Sequence, residues 1–105
     1  MREATFAILS SLADGERHGY AIMTEAAAIT GGAIRLQAGT LYAALDRLRV
    51  DGLVQVSSED VVGGRLRRSF ALTDQGRSRL AVEAQHRIEG AQLALKRLNA
   101  KPVSI

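Results

Sequence analysis

The sequence predicts a mainly α-helical fold with one small β-hairpin, and three stretches predict it. Within residues 36–53, Leu41, Leu45 and Leu48 recur at i, i+4 and i+7, which lays a single apolar stripe along a helix. After Gly52 the period changes, and two β-prone runs flank a Gly63-Gly64 pair. Further on, Leu80, Ala84, Ile88, Ala91, Leu95 and Leu98 step by 4, 4, 3, 4 and 3. That near-heptad seam belongs to one long helix.

Taken in order, residues 2–13 form the first helix, with Phe6, Leu9 and Ala13 on one face and Ile8 and Leu12 widening it. Asp14 to Arg17 make a turn. His18-Gly19 leads into a second helix over residues 19–29, where Tyr20, Met23 and Ala27 share the apolar side with Ile22 beside it. Thr30-Gly31-Gly32 breaks that helix. The third helix follows, and Gly52 caps it while Leu53 turns back to the core. Leu53 to Val56 start a strand, Ser57 to Glu59 are polar and unpatterned, and Val61 to Arg65 hold a turn longer than two residues with a mobile tip. Residues 67–72 return as a second strand with Phe70 and Leu72 facing inward. Thr73 is the expected N-cap of the last helix, with Asp74 in its first turn. This helix covers residues 75–98, about 35 Å at 1.5 Å per residue. Pro102 ends any helix.

The totals bound the function. A chain of 105 residues, 47% of them hydrophobic, supports one packed domain with an appended helix. Three pieces are expected: residues 1–72 as a compact unit, 73–100 as the long helix, and 101–105 as a flexible tail. With no cysteine there are no disulfides and no thiolate chemistry. No run of 18 apolar residues and no signal-like N-terminal region occurs, so a cytoplasmic location is expected. The two histidines, His18 and His86, lie far apart in sequence, and no spacing gathers metal ligands around either. A structural His18 beside a helix start is the simpler reading. The carboxylates form no general acid/base pair, and the glycines form neither a dinucleotide nor a phosphate-loop fingerprint. Neither an enzyme nor a cofactor is expected.

Charge points elsewhere. The net charge is +3 and the isoelectric point is near 10.0. Nearly all of the basic residues are arginine, the side chain suited to phosphates and guanine edges. The element order is helix, helix-turn-helix, two-stranded wing, long helix, which is a winged helix followed by a helix too long to be buried on its own core. The surplus of that helix is expected to meet a second copy of the chain, through Leu80, Ala84, Ile88, Ala91, Leu95 and Leu98.

Double-stranded DNA admits the third helix into its major groove, while the hairpin reaches phosphates or the adjacent minor groove. Gln37 and Thr40 lie in the helix's first turn, the end that enters the groove, where Gln37 can pair with adenine and Thr40 can meet a thymine methyl or a phosphate. Arg35 and Arg47 are candidates for phosphate. Tyr42 either offers its hydroxyl to DNA or packs on the second helix or the wing. On the wing, Gly64 lets the backbone approach, and Arg65, Arg67 and Arg68 supply charge. Alternation sends Arg65, Arg67 and Ser69 one way and Leu66, Arg68 and Phe70 the other. Two rivals stand beside this reading. One is a winged-helix protein-interaction module without DNA binding, which uses the face of the third helix for a partner protein and shows no nonspecific DNA affinity at low salt. The other is a purely structural helical dimer, which has no use for an arginine-bearing glycine hairpin.

Several motifs resemble one family. His18-Gly19-Tyr20, the run from Gly39-Thr40-Leu41-Tyr42 to Leu48, Gly52-Leu53-Val54, Gly63-Gly64-Arg65, Arg68, and Leu72-Thr73-Asp74-Gln75-Gly76 closely resemble the PadR-like transcriptional regulators, over about residues 5 to 85. The resemblance implies a homodimeric winged-helix regulator, usually a repressor, on a palindromic promoter site. It also implies that the single last helix embraces a partner, as in the family's small subgroup. There are departures. Ala43 stands where the family usually has proline, Ala38 where a serine often precedes Gly-Thr, and Leu66, Ser69 and Phe70 replace the common wing residues. Some relatives bind flat aromatic drugs between tryptophans, and this chain has no tryptophan. A small apolar effector is still allowed, in a cavity lined by the long helix and Phe6.

Overall fold

The computed structural model describes residues 1–100; the tail expected at 101–105 lies outside the described residues. The chain folds as α1 (Glu3–Ser11), β1 (Arg17–His18), α2 (Gly19–Ile29), α3 (Ala38–Val50), β2 (Val54–Val62), β3 (Arg65–Leu72) and α4 (Asp74–Asn99). The mainly α architecture with a β wing and a long last helix is therefore present. It gains a third strand: β1 pairs antiparallel with β3 through Arg17↔Phe70 and His18↔Ser69, giving the order β1-β3-β2.

One core serves the helices and the base of the wing. Ile8, Leu9 and Leu12 of α1, Ile22 of α2, the Leu41-Leu45-Leu48 stripe of α3, Leu53, Val54, Phe70, Leu72 and Leu80 are all buried in it. Each such side chain contributes about 1.5–3 kcal/mol when removed from water. The α1 helix stops at Ser11, leaving Ala13 exposed. His18 is structural: it is the N-cap of α2, and its Nδ1 accepts from the Ala21 N–H at 3.3 Å.

On α2 the buried side differs from the expected one. Gly19, Ile22 and Ala26 face the core, and Tyr20 is 74% exposed. Both sets of positions fit a helical period; the small Gly19 and Ala26 let α2 lie close to its neighbours while Ile22 fills the core between them, and Met23 packs at the core's edge.

The end of α3 explains the Gly52-Leu53 motif. Gly52 takes φ +77°, and the Leu53 N–H reaches back to the Leu48 carbonyl at 2.9 Å, closing the helix in a left-handed cap. Leu53 then anchors α4 as well. Its carbonyl accepts from the Thr73 N–H at 3.1 Å, while the Thr73 hydroxyl donates to Gly52 O at 2.6 Å and accepts from Gly76 N–H at 2.9 Å.

The wing is longer and tighter than expected. Strand β2 continues through the polar stretch, with a bulge between Val56 and Ser58, and Val62 pairs with Arg65. Only Gly63 and Gly64 form the turn, at φ +59° and +78°. Two successive positive φ angles make the turn type whose twist matches a hairpin. The longer, loose tip expected from sequence is thus replaced by a two-residue turn. Alternation failed as a signal there because both faces of the projecting wing are solvated.

Helix α4 is about 39 Å long at 1.5 Å per residue over its 26 residues. Its first turns run antiparallel to α1. Arg77 donates to the Ala13 carbonyl at 3.2 Å, and ten residues on Arg87 meets Glu3 at 2.6 Å and lies 4.0 Å over the Phe6 ring. Leu80 is buried in the protomer's own core and Ala84 is half-buried. From Ile88 to Asn99 every residue is exposed. The resulting molecule measures 70 × 27 × 21 Å.

Candidate nucleic-acid interface

Because Leu41, Leu45 and Leu48 hold one side of α3 in the core, the rest of the helix must face outward. Gln37, Ala38, Gly39, Thr40, Tyr42, Ala43 and Arg47 are all exposed. Gln37 is the N-cap residue, and its side chain makes no capping bond. The first amides of the helix have no partner within it, the first intrahelical bond being Leu41 N–H to Gln37 O at 2.9 Å. The outermost ridge carries Gly39 and Ala43, so the backbone of α3 can lie close to whatever it docks on.

Tyr42 joins α3 to its neighbours. Its ring lies 6.5 Å from Phe70 at an interplanar angle of 56°. The other end of the ring rests on Gly19, where a Cβ would come within 2.8 Å of the Tyr42 Cζ. Tyr42 therefore packs on both α2 and the base of the wing, and it still exposes 46% of its surface. This contact ties the outward face of α3 to the base of the wing, alongside the shared core and the β1–β3 pairing.

The arginines divide by their partners. Arg49 is paired with Asp46 at 3.7 Å. Among the described residues Arg47 has no ion pair, so its guanidinium is the free cation of α3. Arg35, in the link before α3, folds over Gly32, a Cβ there coming 3.0 Å from its Nη2. Together with Tyr20, Met23, Thr24, Ala27 and Leu36 it lines a shallow hollow. On the wing, Arg68 Nε meets Glu59 Oε1 at 3.1 Å across the β2–β3 pair. Arg67 stands opposite Asp60 and Arg65 opposite Val62. The stretch that reads as purely basic along the chain is thus partly neutralised by the facing strand, and Arg65 beside Gly64 is the cation nearest the tip.

Tyr20, expected on the apolar side of α2, is instead a surface residue next to the candidate interface. It stands exposed beside Thr24 and Arg35, on the same side of the molecule as the start of α3. The Gly19-Ile22-Ala26 spacing was the available sign that Tyr20 points out. Among the described residues no group of His, Cys, Asp or Glu side chains could hold a metal ion, and no helix is long and apolar enough to cross a membrane.

Comparison with known proteins agrees with this geometry. Residues 8–82 match the model of the transcriptional regulator PadR-like family. Transcriptional regulator Rv3488 of Mycobacterium tuberculosis is 45% identical over 73 residues, which are 70% of this chain and 64% of that protein. The crystal structure of Bacillus subtilis PadR in complex with operator DNA superposes with a TM-score of 0.69 at 25% identity, over 79% of this chain and 47% of that one. A PadR family transcription regulator from Clostridium difficile has the same fold, with a TM-score of 0.75 at 22% identity over 93% of this chain and all of the other. The chain therefore spans under two thirds of the first relative's length and about half of the operator-bound one.

Proposed function

Because the chain belongs to the PadR-like family of transcriptional regulators, whose members named above are regulators and not enzymes, we propose that it is a repressor that binds a palindromic promoter site as a homodimer. The observation that carries this reading is the joint exposure of the outward side of α3 and the Gly63-Gly64-Arg65 tip, with Tyr42 of α3 in contact with Phe70 at the base of the wing. In the same reading Gln37 meets base edges, Thr40 meets a thymine methyl or a phosphate, Arg35, Arg47, Arg65 and Arg67 meet phosphates, and Gly64 lets the wing approach the sugar–phosphate edge. Arg68 contributes less than its neighbours because Glu59 already holds it. The hydroxyl end of Tyr42 lies against Gly19, so Tyr42 acts chiefly by positioning.

The dimer is assigned to the free half of α4. Leu80 and Ala84 seat the helix on its own protomer, which leaves Ile88, Ala91, Leu95 and Leu98 as the seam offered to a second copy. Residues 1–72 then act as the reading head and 73–100 as the dimerisation arm. A dimer presents two copies of α3 to successive major grooves about 34 Å apart. A small apolar effector would bind in the hollow of about 320 Å³ where Phe6, Ile29, Ala33 and Ile34 meet Glu3 and Arg87. Its route to the DNA is the angle of α4, which sets the separation of the two reading heads.

The test is a mobility shift on the DNA upstream of the protein's own gene and on random duplex, repeated at several salt concentrations. Arg65→Ala is expected to weaken both complexes, whereas Gln37→Ala narrows the gap between them. Equal loss on both duplexes for Gln37→Ala would remove that residue from base recognition.

A further inference from the structure

We propose that the groove between α1 and α3, walled by Arg2 and Thr5 on one side and Thr40 and Arg47 on the other, holds a phosphodiester strand of the bound DNA. The inference rests on the DNA-binding reading above and adds α1 to the interface.

The groove has a volume of about 420 Å³ and is lined by Arg2, Ala4, Thr5, Gly39, Thr40, Ala43, Ala44 and Arg47. Its chemistry is two guanidinium groups and two hydroxyls, and every other lining residue is glycine or alanine. No carboxylate faces it. The nearest acids in sequence are engaged elsewhere, Glu3 with Arg87 at 2.6 Å and Asp46 with Arg49 at 3.7 Å. Among the described residues Arg2 and Arg47 have no ion pair, so the positive charge of the groove is uncompensated.

Its position matters as much as its charge. Thr40 and Arg47 are seven residues apart and so share one flank of α3, two turns from each other. Tyr42 occupies the opposite flank, against Phe70 and the wing. A helix lying in a major groove about 12 Å wide has a sugar–phosphate strand along each side. The wing's arginines serve the strand on the Tyr42 flank. The strand on the other flank meets the mouth of this groove, where the low walls let a phosphate sit between the two guanidinium groups. The side chain of Arg2 has no structural duty that competes with this role: it is exposed and forms no capping bond to α1.

The experiment measures affinity for random duplex and for the upstream DNA across about 50–200 mM salt. The full chain is compared with Arg2→Ala, Arg2→Lys and, as a reference, Arg65→Ala, after melting curves establish that each variant is folded. Arg2→Ala is expected to weaken both complexes by about three- to tenfold and to flatten the slope of log affinity against log salt by about 0.9, the release of one phosphate contact. Lysine should restore most of the slope. If Arg2→Ala binds like the unmodified chain while Arg65→Ala loses affinity, the groove is merely solvated and the proposal falls alone. If the unmodified chain binds neither duplex, the DNA-binding reading falls and takes the groove with it.

Discussion

Gly76 in the first turn of α4 lies against the main chain of Leu53, so closely that a Cβ there would come within 2.9 Å of the Leu53 carbonyl carbon. The same Leu53 carbonyl accepts from the Thr73 N–H, so the end of α3 and the start of α4 are joined backbone to backbone. This is the physical reason for glycine in the Leu72-Thr73-Asp74-Gln75-Gly76 motif. Helix propensity alone would favour alanine by about 1 kcal/mol, whereas crowding against a backbone atom costs about 1–3 kcal/mol. Gly76→Ala should therefore lower stability by urea unfolding. Gly90→Ala, in the same helix with open space around it, should raise it by about 0.5–1 kcal/mol. A stabilising Gly76→Ala would contradict the packing.

The wing turn makes a second demand on glycine. Gly64 sits at φ +78°, a region that costs an L side chain about 1–2 kcal/mol. Gly64→Ala should loosen the hairpin and weaken binding to all duplexes alike, while Gly63→Asn should be tolerated because asparagine accepts the first position of this turn. Amide hydrogen exchange across β2 and β3 reads the first effect directly, as faster exchange confined to the wing.

Arg68 is held by Glu59 on an exposed surface, where such a pair contributes well under about 1 kcal/mol. Glu59→Gln should therefore leave the melting temperature almost unchanged. It should also release Arg68 for phosphate, tightening binding to random DNA and steepening its salt dependence by up to about 0.9 in slope. An unchanged slope would mean that Arg68 lies outside the footprint.

Much of the fold was legible in the sequence because its helices obey one period. The α2 bounds follow from the Gly19 start and the Thr30-Gly31-Gly32 break, and α3 from three leucines and a glycine stop. What escaped was set by partners distant in sequence. The two residues of β1 carry no strand signal of their own and exist because β3 offers them an edge. The polar run from Ser57 to Asp60 is a strand only because Ser69, Arg68 and Arg67 lie opposite. Register also brings Glu59 to Arg68, which no inspection of the basic stretch alone could reveal. The seam of α4 read as continuous, yet α1 covers its first part and claims Leu80 for the core.

The central claim is that two copies of α3, each with its wing, straddle one duplex. Hydroxyl-radical footprinting on the DNA upstream of the protein's own gene, with the stoichiometry of the same complex measured by sedimentation, tests it most directly. Two chains per site and protection in two symmetric patches centred about 34 Å apart are expected. One chain per site, or a single unsymmetric patch, would contradict it.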